Sequence, residues 1–146
     1  MSGAARRGPL LTLLWRSHRF WYRLTGGRIG TRLAGWDVLL LTTRGRQSGE
    51  RRSVTLNYLR EGSALVVIAS NAGDDRDPLW WRNLKANPDA EVRTGTTHFK
   101  VRAREAQATE RELLWDKVVA RDPSYAEYER RTKRRIPVVL LEPTTG

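Results

Sequence analysis

The sequence predicts a small α+β barrel. Its 146 residues, 39% of them hydrophobic, suffice for one domain with one modest core. We identify about six short strand-like runs, mostly separated by turn residues, and several segments with helix-start signals. That many short strands would leave exposed edges in an open sheet, so closure into a barrel wrapped by three or four helices is the economical arrangement.

The first three strands are predicted at Val38–Thr43, Arg52–Arg60 and Ala64–Ala69. The second of these alternates apolar with polar residues, and the third is apolar enough to be a central strand. A polar loop bracketed by glycines, Arg44–Gly49, joins the first pair, and Glu61–Ser63 turns the chain into the third strand. These connections predict an antiparallel meander.

The remaining strands are predicted at Ala90–Thr94, Thr97–Ala106 and Pro137–Leu141, with Gly95 as the hinge of a hairpin and proline at the start of the last strand. Proline is tolerated at a strand start because no ladder hydrogen bond is lost there. Together with the meander, these runs complete the barrel.

Three helices follow from capping signals. Asp77 is predicted as the N-cap of a helix over Leu79–Lys85, with Pro78 in its first position. Residues 109–112 and 124–127 each begin with Thr or Ser and end with Glu, the spacing of a capping box, so two further helices are expected to begin there.

The N-terminal segment, residues 1–35, is set apart from the barrel domain, residues 36–146, by its charge. Residues 1–36 contain seven Arg and neither Asp nor Glu. An amphipathic helix is predicted, with apolar residues recurring on one face and Arg on the other; the faces are Leu10, Leu13, Leu14, Trp21 and Leu24 against Arg16, Arg19 and Arg23. It could pack across the domain, lie on an anionic membrane surface or act as a targeting segment.

Composition excludes several function classes. Cysteine is absent and only His18 and His98 are present, so disulfides, thiolate nucleophiles, cysteine-based zinc sites and histidine-dependent triads are not expected, and we expect no metal site. No apolar run reaches the roughly 18 residues of a transmembrane helix. The net charge of +11 is compatible with nucleic-acid binding. However, the aromatic residues concentrate in predicted helices, where they would form no stacking platform along strands.

Local patterns give four candidate sites, each with a structural alternative. The loop Arg44–Gly49 is either an anion site or a solvated turn. Asp77–Trp81 combines a helix start with two indoles, which also suit a core. Tyr125 and Tyr128 share one helix face and either donate phenolic hydrogens into a cleft or simply pack. Residues 130–135 form a basic run, either a charged helix end or a phosphate footprint.

Five ordered blocks resemble one known family: Leu39–Gly49, Ala69–Gly73, Asp77–Pro88, Tyr125–Tyr128 and Ile136–Pro143. They are similar to the deazaflavin-dependent nitroreductase and quinone reductase family, and the resemblance extends over roughly residues 36–143. It implies a split β-barrel related to flavin-binding oxidoreductases. It also implies coenzyme F420, an 8-hydroxy-5-deazaflavin with a phosphate and an oligoglutamate tail, as cofactor, with FMN less expected.

The resemblance also implies roles for individual residues. The loop 46–49 would grip the phosphate-bearing tail, the strand 52–57 would lie along the cofactor, residues 68–71 would reach the deazaflavin and residues 79–83 would close over it. The implied catalytic residues are Tyr125, Ser70 and Tyr128. The implied cofactor-binding residues are Arg46, Gln47, Ser48, Gly49, Arg52, Ser53, Val54, Thr55, Leu56, Asn57, Ile68, Ala69, Ser70, Asn71, Leu79, Trp80, Trp81, Arg82 and Asn83.

The sequence departs from the family pattern at five of these or neighbouring positions. Gln47 and Asn71 replace lysines common in the family, and Arg51 stands where proline is common. Asn57 and Asp122 each replace a tyrosine of the best-known member. These differences predict an altered substrate pocket.

The function implied by the resemblance is hydride transfer from reduced F420 to a quinone, nitro or enone-type acceptor, which would be a small hydrophobic molecule. The alternative is a non-catalytic module of the same fold that carries F420 or a lipid-like ligand. A nucleic-acid-binding barrel is the least favoured interpretation. A cytoplasmic location is expected, with peripheral attachment to the inner face of the plasma membrane through the N-terminal helix. The oligomeric state stays open.

Overall fold

The computed structural model describes residues 32–33 and 36–144. The strands within them are β1 (Arg32–Leu33), β2 (Trp36–Arg44), β3 (Arg51–Glu61), β4 (Ala64–Ile68), β5 (Asp89–Thr94), β6 (Thr97–Glu105) and β7 (Val138–Pro143). The helices are α1 (Leu79–Ala86), α2 (Ala108–Arg121) and α3 (Ser124–Arg131), with a single 3-10 turn at Asn71–Gly73.

Six strands close into an antiparallel barrel in the order β2-β3-β4-β7-β6-β5. Closure occurs where β5 returns to β2, with Leu41 opposite Val92. The predicted α+β barrel and its antiparallel meander are confirmed. β1 was not predicted; it is a separate strand of two residues that pairs antiparallel with the start of β2, with Leu33 opposite Trp36.

The strand sequences place apolar residues on the faces that are covered. In β2, Leu39 and Leu41 project into the barrel interior, whereas Val38 and Leu40 point to the opposite face. β4 is apolar throughout because both of its faces are covered. Leu65 points into the barrel interior, and its neighbours in sequence pack outside the barrel, under helices. The barrel therefore has packed apolar layers inside and, at β4 and β7, outside.

Two sets of aromatic side chains anchor the helices. Trp80 and Trp81 of α1 are buried within the interior cluster. Trp115 of α2 packs outside the barrel against Ile136 and Val138. Burial of each large side chain contributes about 1.5–3 kcal/mol or more, so these contacts hold both helices on the barrel.

All three predicted helices are present and begin at, or within one residue of, the expected positions, but none of the predicted caps forms. Asp77 makes no cap bond to α1; its carboxylate instead contacts Arg134 and Lys85. α2 begins one residue before Thr109. Ser124 is the first residue of α3, and Asp122 accepts from its backbone N–H at 3.0 Å. At α3 the carboxylate of Asp122 therefore takes the place of the predicted Ser124 cap.

The predicted amphipathic helix lies outside the described residues, as does most of the segment 1–35. Within the described part of the chain, no helix is both long enough and apolar enough to cross a membrane.

Candidate active site

A cavity of about 980 Å³ lies between the β2–β3 loop, β3, the segment after β4, and the starts of α1 and α3. Eighteen of the predicted site residues line it. They are Arg46, Gln47, Ser48, Arg52, Ser53, Val54, Thr55, Leu56, Asn57, Ile68, Ser70, Asn71, Leu79, Trp80, Arg82, Asn83, Tyr125 and Tyr128. Five separate segments of the chain thus meet around one volume.

Three predicted cofactor-binding residues do not line the cavity. Ala69 is fully buried and Trp81 nearly so, both within the barrel interior. Gly49 closes the β2–β3 loop, where its N–H donates to the Gly45 carbonyl at 2.8 Å. Contiguous sequence blocks include such residues because neighbours in sequence point to opposite faces of a strand or helix.

Exposed guanidinium groups surround one end of the cavity. Arg46, Arg52 and Arg82 define this arginine end, and all three are exposed. Arg52 pairs with Glu50 at 3.1 Å. Within the described part of the chain, Arg46 and Arg82 form no ion pair, so this end presents uncompensated positive charge to an anion.

The loop at the arginine end is held by buried hydrogen bonds. The N–H of Arg46 donates to Oδ1 of Asn83 at 3.1 Å, and Nδ2 of Asn83 donates to Oγ1 of Thr43 at 3.2 Å. A Cβ on Gly45 would lie 2.7 Å from Oγ of Ser48, so a side chain there would displace the hydroxyl that accepts from the N–H of Glu50 at 3.1 Å. Asn83 therefore acts as a brace between α1 and the loop.

A single arginine holds the segment that forms the cavity floor. Arg134 donates to the carbonyls of Ala69 and Ser70, at 2.9 and 3.0 Å, and to that of Asp74 at 3.0 Å. Its Nη1 contacts Oδ1 of Asp77 at 3.0 Å, and its side chain is only 16% exposed. This network fixes the turn that carries Ser70, a fixation that sequence reasoning missed.

The floor also contains backbone strain. Asn71 and Ala72 adopt left-handed conformations, with φ of 48° and 55°, which are disfavoured outside glycine. Gly73 follows with φ of 85°, and a side chain there would lie 3.4 Å from the backbone of Tyr128. The floor thus turns sharply and packs directly against α3.

The opposite end of the cavity is lined by aromatic and hydrogen-bonded side chains. We call it the tyrosine end, comprising Trp36, Asn57, Asp122, Tyr125 and Tyr128. The Trp36 and Tyr125 rings lie 5.8 Å apart, and the Tyr125 and Tyr128 rings 5.4 Å apart, all edge to face. Such contacts fix ring orientation, so the phenols are held in place.

Asp122 is the charged member of the tyrosine end. Its Oδ2 accepts from Nε1 of Trp36 at 3.0 Å, and its Oδ1 accepts from the backbone N–H and hydroxyl of Ser124 at 3.0 and 2.6 Å. Burial raises its pKa, but the hydrogen bonds from Ser124 and Trp36 outweigh burial and hold the pKa below its ordinary value. Asp122 is therefore ionised at neutral pH.

Tyr125 is held in its neutral form. Burial raises its pKa to about 12, a hydrogen bond with Asn57 opposes the rise, and Tyr128 and Asp122 add to it. A phenol with that pKa donates hydrogen bonds at neutral pH and does not readily lose its proton.

Two polar atoms at the cavity wall lack partners. Within the described residues, Oγ1 of Thr55 and Oδ1 of Asn57 are buried and accept or donate no hydrogen bond. Both residues lie on β3, two positions apart, and so share one face. An unpaired buried polar atom costs about 1–3 kcal/mol, which a ligand's polar groups would recover.

Four lining residues belong to none of the predicted sites: Trp36, Thr43, Ala72 and Arg76. Gly45, Asp77 and Pro78 fall in the candidate loop 44–49 and helix start 77–81, and Asp122 is one of the departures expected to alter the substrate pocket. The contact between Trp36 and Asp122 spans 86 residues, so no local pattern could have paired them.

Comparison with known proteins gives a consistent set of relatives. The family model described as F420H(2)-dependent quinone reductase matches residues 14–143. An F420H(2)-dependent quinone reductase of Mycobacterium tuberculosis is 42% identical over 132 residues, which cover 88% of this chain and 89% of that protein.

Solved structures agree. An F420-H2 dependent reductase is 40% identical with a TM-score of 0.66, covering 72% of this chain and 93% of its own. A structure described as a domain-swapped dimer is 34% identical with a TM-score of 0.69, covering 90% and 99%. A FAD-binding protein of Mesorhizobium loti, 14% identical with a TM-score of 0.53 and 88% of each chain covered, shares the fold alone.

Proposed function

The chain belongs to the F420H(2)-dependent quinone reductase family, and we propose that its cavity binds F420 with the anionic tail at the arginine end and the acceptor at the tyrosine end. The protein is an oxidoreductase that uses reduced F420 as hydride donor and a quinone as acceptor. The observation that carries the assignment of the ends is their contrast: uncompensated guanidinium groups at one, ordered phenols at the other.

The residues present fit such a cofactor. The volume of about 980 Å³ is near the top of the range of about 300–1,000 Å³ for ligand pockets, which suits a cofactor together with an acceptor. The unpaired atoms of Thr55 and Asn57 offer hydrogen-bond partners to a polar ring. When bound, the reduced deazaflavin supplies a hydride, two electrons with one hydrogen nucleus, to the acceptor.

Binding of the tail would depend on the loop 46–49 and on Arg52. Arg46 and Arg52 provide charge, and the hydroxyl of Ser48 lies in the same loop. Arg82 compensates in part for the lysines that Gln47 and Asn71 replace, because its guanidinium lines the same end. Leu79 and Trp80 would cover the ring from the start of α1.

Tyr125, Tyr128 and Ser70 would act on the acceptor. A quinone oxygen gains negative charge as the hydride arrives, and a neutral phenol at Tyr125 stabilises that charge by donating a hydrogen bond. The high pKa of Tyr125 argues against its losing the proton, so solvent supplies the proton that completes the hydroquinone. Ser70, on the strained floor, offers a second hydroxyl, and Tyr128 orders the first phenol by ring contact.

A paired titration tests the proposal. The protein should bind F420 with micromolar affinity and FMN much more weakly, and reduced F420 should be oxidised when 1,4-naphthoquinone is added. Absence of binding to either cofactor would overturn the assignment of the cavity. Tight F420 binding without turnover of any acceptor would favour the non-catalytic binding module instead.

The acceptor range extends, in our proposal, to nitro and enone-type compounds, because these also gain charge on an oxygen when a hydride is added. Matched assays with nitrobenzene and cyclohexenone, at saturating reduced F420, check this. Turnover confined to quinones would restrict the range.

We also propose that the N-terminal segment binds an anionic membrane surface on the cytoplasmic side, where quinones are available. Support comes from its Arg-rich, acid-free sequence. Replacing Arg16, Arg19 and Arg23 by Gln should reduce cosedimentation with phosphatidylglycerol vesicles. Replacing Arg130, Arg131 and Lys133 by Gln, an equal charge change elsewhere, should not. Equal losses would point to non-specific attraction by the net charge.

A further inference from the structure

Asp122 places a fixed negative charge in the wall of the acceptor site. Its three hydrogen-bond donors, from Trp36 and Ser124, are all neutral. Among the described residues, none forms an ion pair with it. The nearby Arg121 guanidinium is exposed and lies 5.3 Å from the Trp36 ring centre, and it does not line the cavity.

The other charges around the cavity do not cancel this one. Arg46, Arg52 and Arg82 belong to the arginine end, and the exposed Arg76 pairs with Asp74 at 3.6 Å. Asp77 is neutralised by Arg134 and Lys85. The N-terminus of α3 offsets the carboxylate only in part, since a helix end carries about half an elementary charge.

We infer that Asp122 makes this enzyme select its acceptor by charge, disfavouring quinones that carry a carboxylate or sulfonate and favouring neutral or cationic ones. This rests on the proposed placement of the acceptor at the tyrosine end. Two like charges in a half-buried site repel far more strongly than in bulk water. The protein's net charge of +11 would by itself favour anionic acceptors, so the selectivity expected from Asp122 is opposite to the selectivity expected from the net charge.

The effect should act on binding and not on the chemical step. Reduction of a quinone adds one hydride and one proton, giving a neutral hydroquinone, and it adds the same transient charge whether or not the ring bears a sulfonate. Any influence of Asp122 on that transient charge therefore cancels when two acceptors are compared.

The test compares 1,4-naphthoquinone with its 2-sulfonate in the full-length protein. The sulfonate-to-parent ratio of kcat/KM is measured for wild type, Asp122→Asn and Asp116→Asn. Asn retains the size and an oxygen acceptor of Asp122, and Asp116 is an exposed residue of α2 away from the cavity. We expect the ratio to rise about tenfold in Asp122→Asn and to stay unchanged in Asp116→Asn. For a trimethylammonium-substituted naphthoquinone, the ratio of kcat/KM to that of the parent quinone should fall in Asp122→Asn.

A binding measurement separates this inference from the proposed function. Quenching of tryptophan fluorescence by the two quinones, without F420, reports their affinities, since Trp36 lines the same wall. A wild type that oxidises no reduced F420 would overturn the proposed function, while the ratio of affinities would still decide the inference. Affinity ratios that agree within twofold between wild type and Asp122→Asn would overturn the inferred charge selectivity. Should that variant fail to fold, Asp122→Ser removes the same charge and decides on the same criterion.

Discussion

The two ends of the cavity differ in how their charge is held. At the arginine end, Arg46, Arg52 and Arg82 are exposed, and the Arg52–Glu50 pair is open to solvent. At the tyrosine end, Asp122 and Tyr125 are fixed by hydrogen bonds and ring contacts. Exposed charges are screened by salt and each contributes little, whereas half-buried ones keep their effect. With the cofactor and acceptor placed as proposed, this contrast predicts that cofactor binding depends on salt and that acceptor binding does not.

The cavity floor links the ends and is neither exposed nor aromatic. Arg134 joins it to the chain before β7 through carbonyl and carboxylate contacts. Strain at Asn71 and Ala72 is retained because this network overdetermines the turn. The stabilising contacts of the floor thus lie between the two ends, where they fix the position of Ser70.

The largest effect should come from the tyrosine end. Tyr125→Phe keeps the ring and removes the donor, so kcat should fall by roughly 10²–10³, comparable to loss of one oxyanion-hole donor, with F420 affinity nearly unchanged. Steady-state kinetics with saturating reduced F420 and 1,4-naphthoquinone measure it. Tyr128→Phe, which removes the neighbouring phenol, should lower kcat much less than Tyr125→Phe does. A raised KM with intact kcat would mean that Tyr125 only shapes the pocket.

The floor should give the next largest effect, on stability. Arg134→Ala removes four hydrogen bonds and leaves Asp77 half-buried with only Lys85, so the free energy of unfolding should fall by about 3 kcal/mol. Its neighbour Arg135 is exposed, and Arg135→Ala should change stability by less than about 0.5 kcal/mol. Urea unfolding of both variants makes the comparison. Similar losses would show that the network is not what holds the floor.

The sequence predicts the barrel well because its signals are local. The alternation in β3 and the turns around Gly49 and Gly62 lie within a few residues of the strands that they define. β1 was not predicted because a strand of two residues is too short to show an alternating pattern; it pairs with the start of β2. The predicted cap at Asp77 fails because a local pattern competes with tertiary partners: its carboxylate pairs with Arg134 and Lys85 instead.

The site is predictable where it follows sequence blocks and not where it depends on distant contacts. The resemblance gathers residues 46–57 and 79–83 in order, but it also includes Ala69, which the strand alternation turns into the core. The contacts of Asp122 with Trp36 and of Arg134 with Ser70 join segments 86 and 64 residues apart. Such pairs appear only once the barrel has closed.

At the arginine end, Arg46→Ala should weaken F420 binding by roughly 1–3 kcal/mol at low salt, the range for hydrogen bonds to charged groups. The loss should shrink as salt is added, because the loop is exposed. Arg102→Ala, an exposed arginine of β6 paired with Asp89 away from the cavity, controls for net charge and should leave the dissociation constant unchanged. Fluorescence titration at two salt concentrations measures both. An unchanged constant for Arg46→Ala would remove the loop from the tail site.

The smallest effect concerns pH, and it tests how far the tyrosine end raises the pKa of Tyr125. Because burial raises the pKa of Tyr125 to about 12, only about 1% of it ionises at pH 10, where an ordinary tyrosine would be half ionised. Its donor is lost only as pH rises through the raised value, so ionisation of Tyr125 should leave single-turnover kcat flat to pH 10. Absorbance titration at 295 nm of wild type minus Tyr125→Phe locates the pKa directly. Asp122→Asn should move that pKa downward, since the carboxylate contributes to raising it. A difference titration centred near pH 10 in wild type would mean that the phenol is solvated, and the tyrosine end would then differ from the arginine end in shape alone.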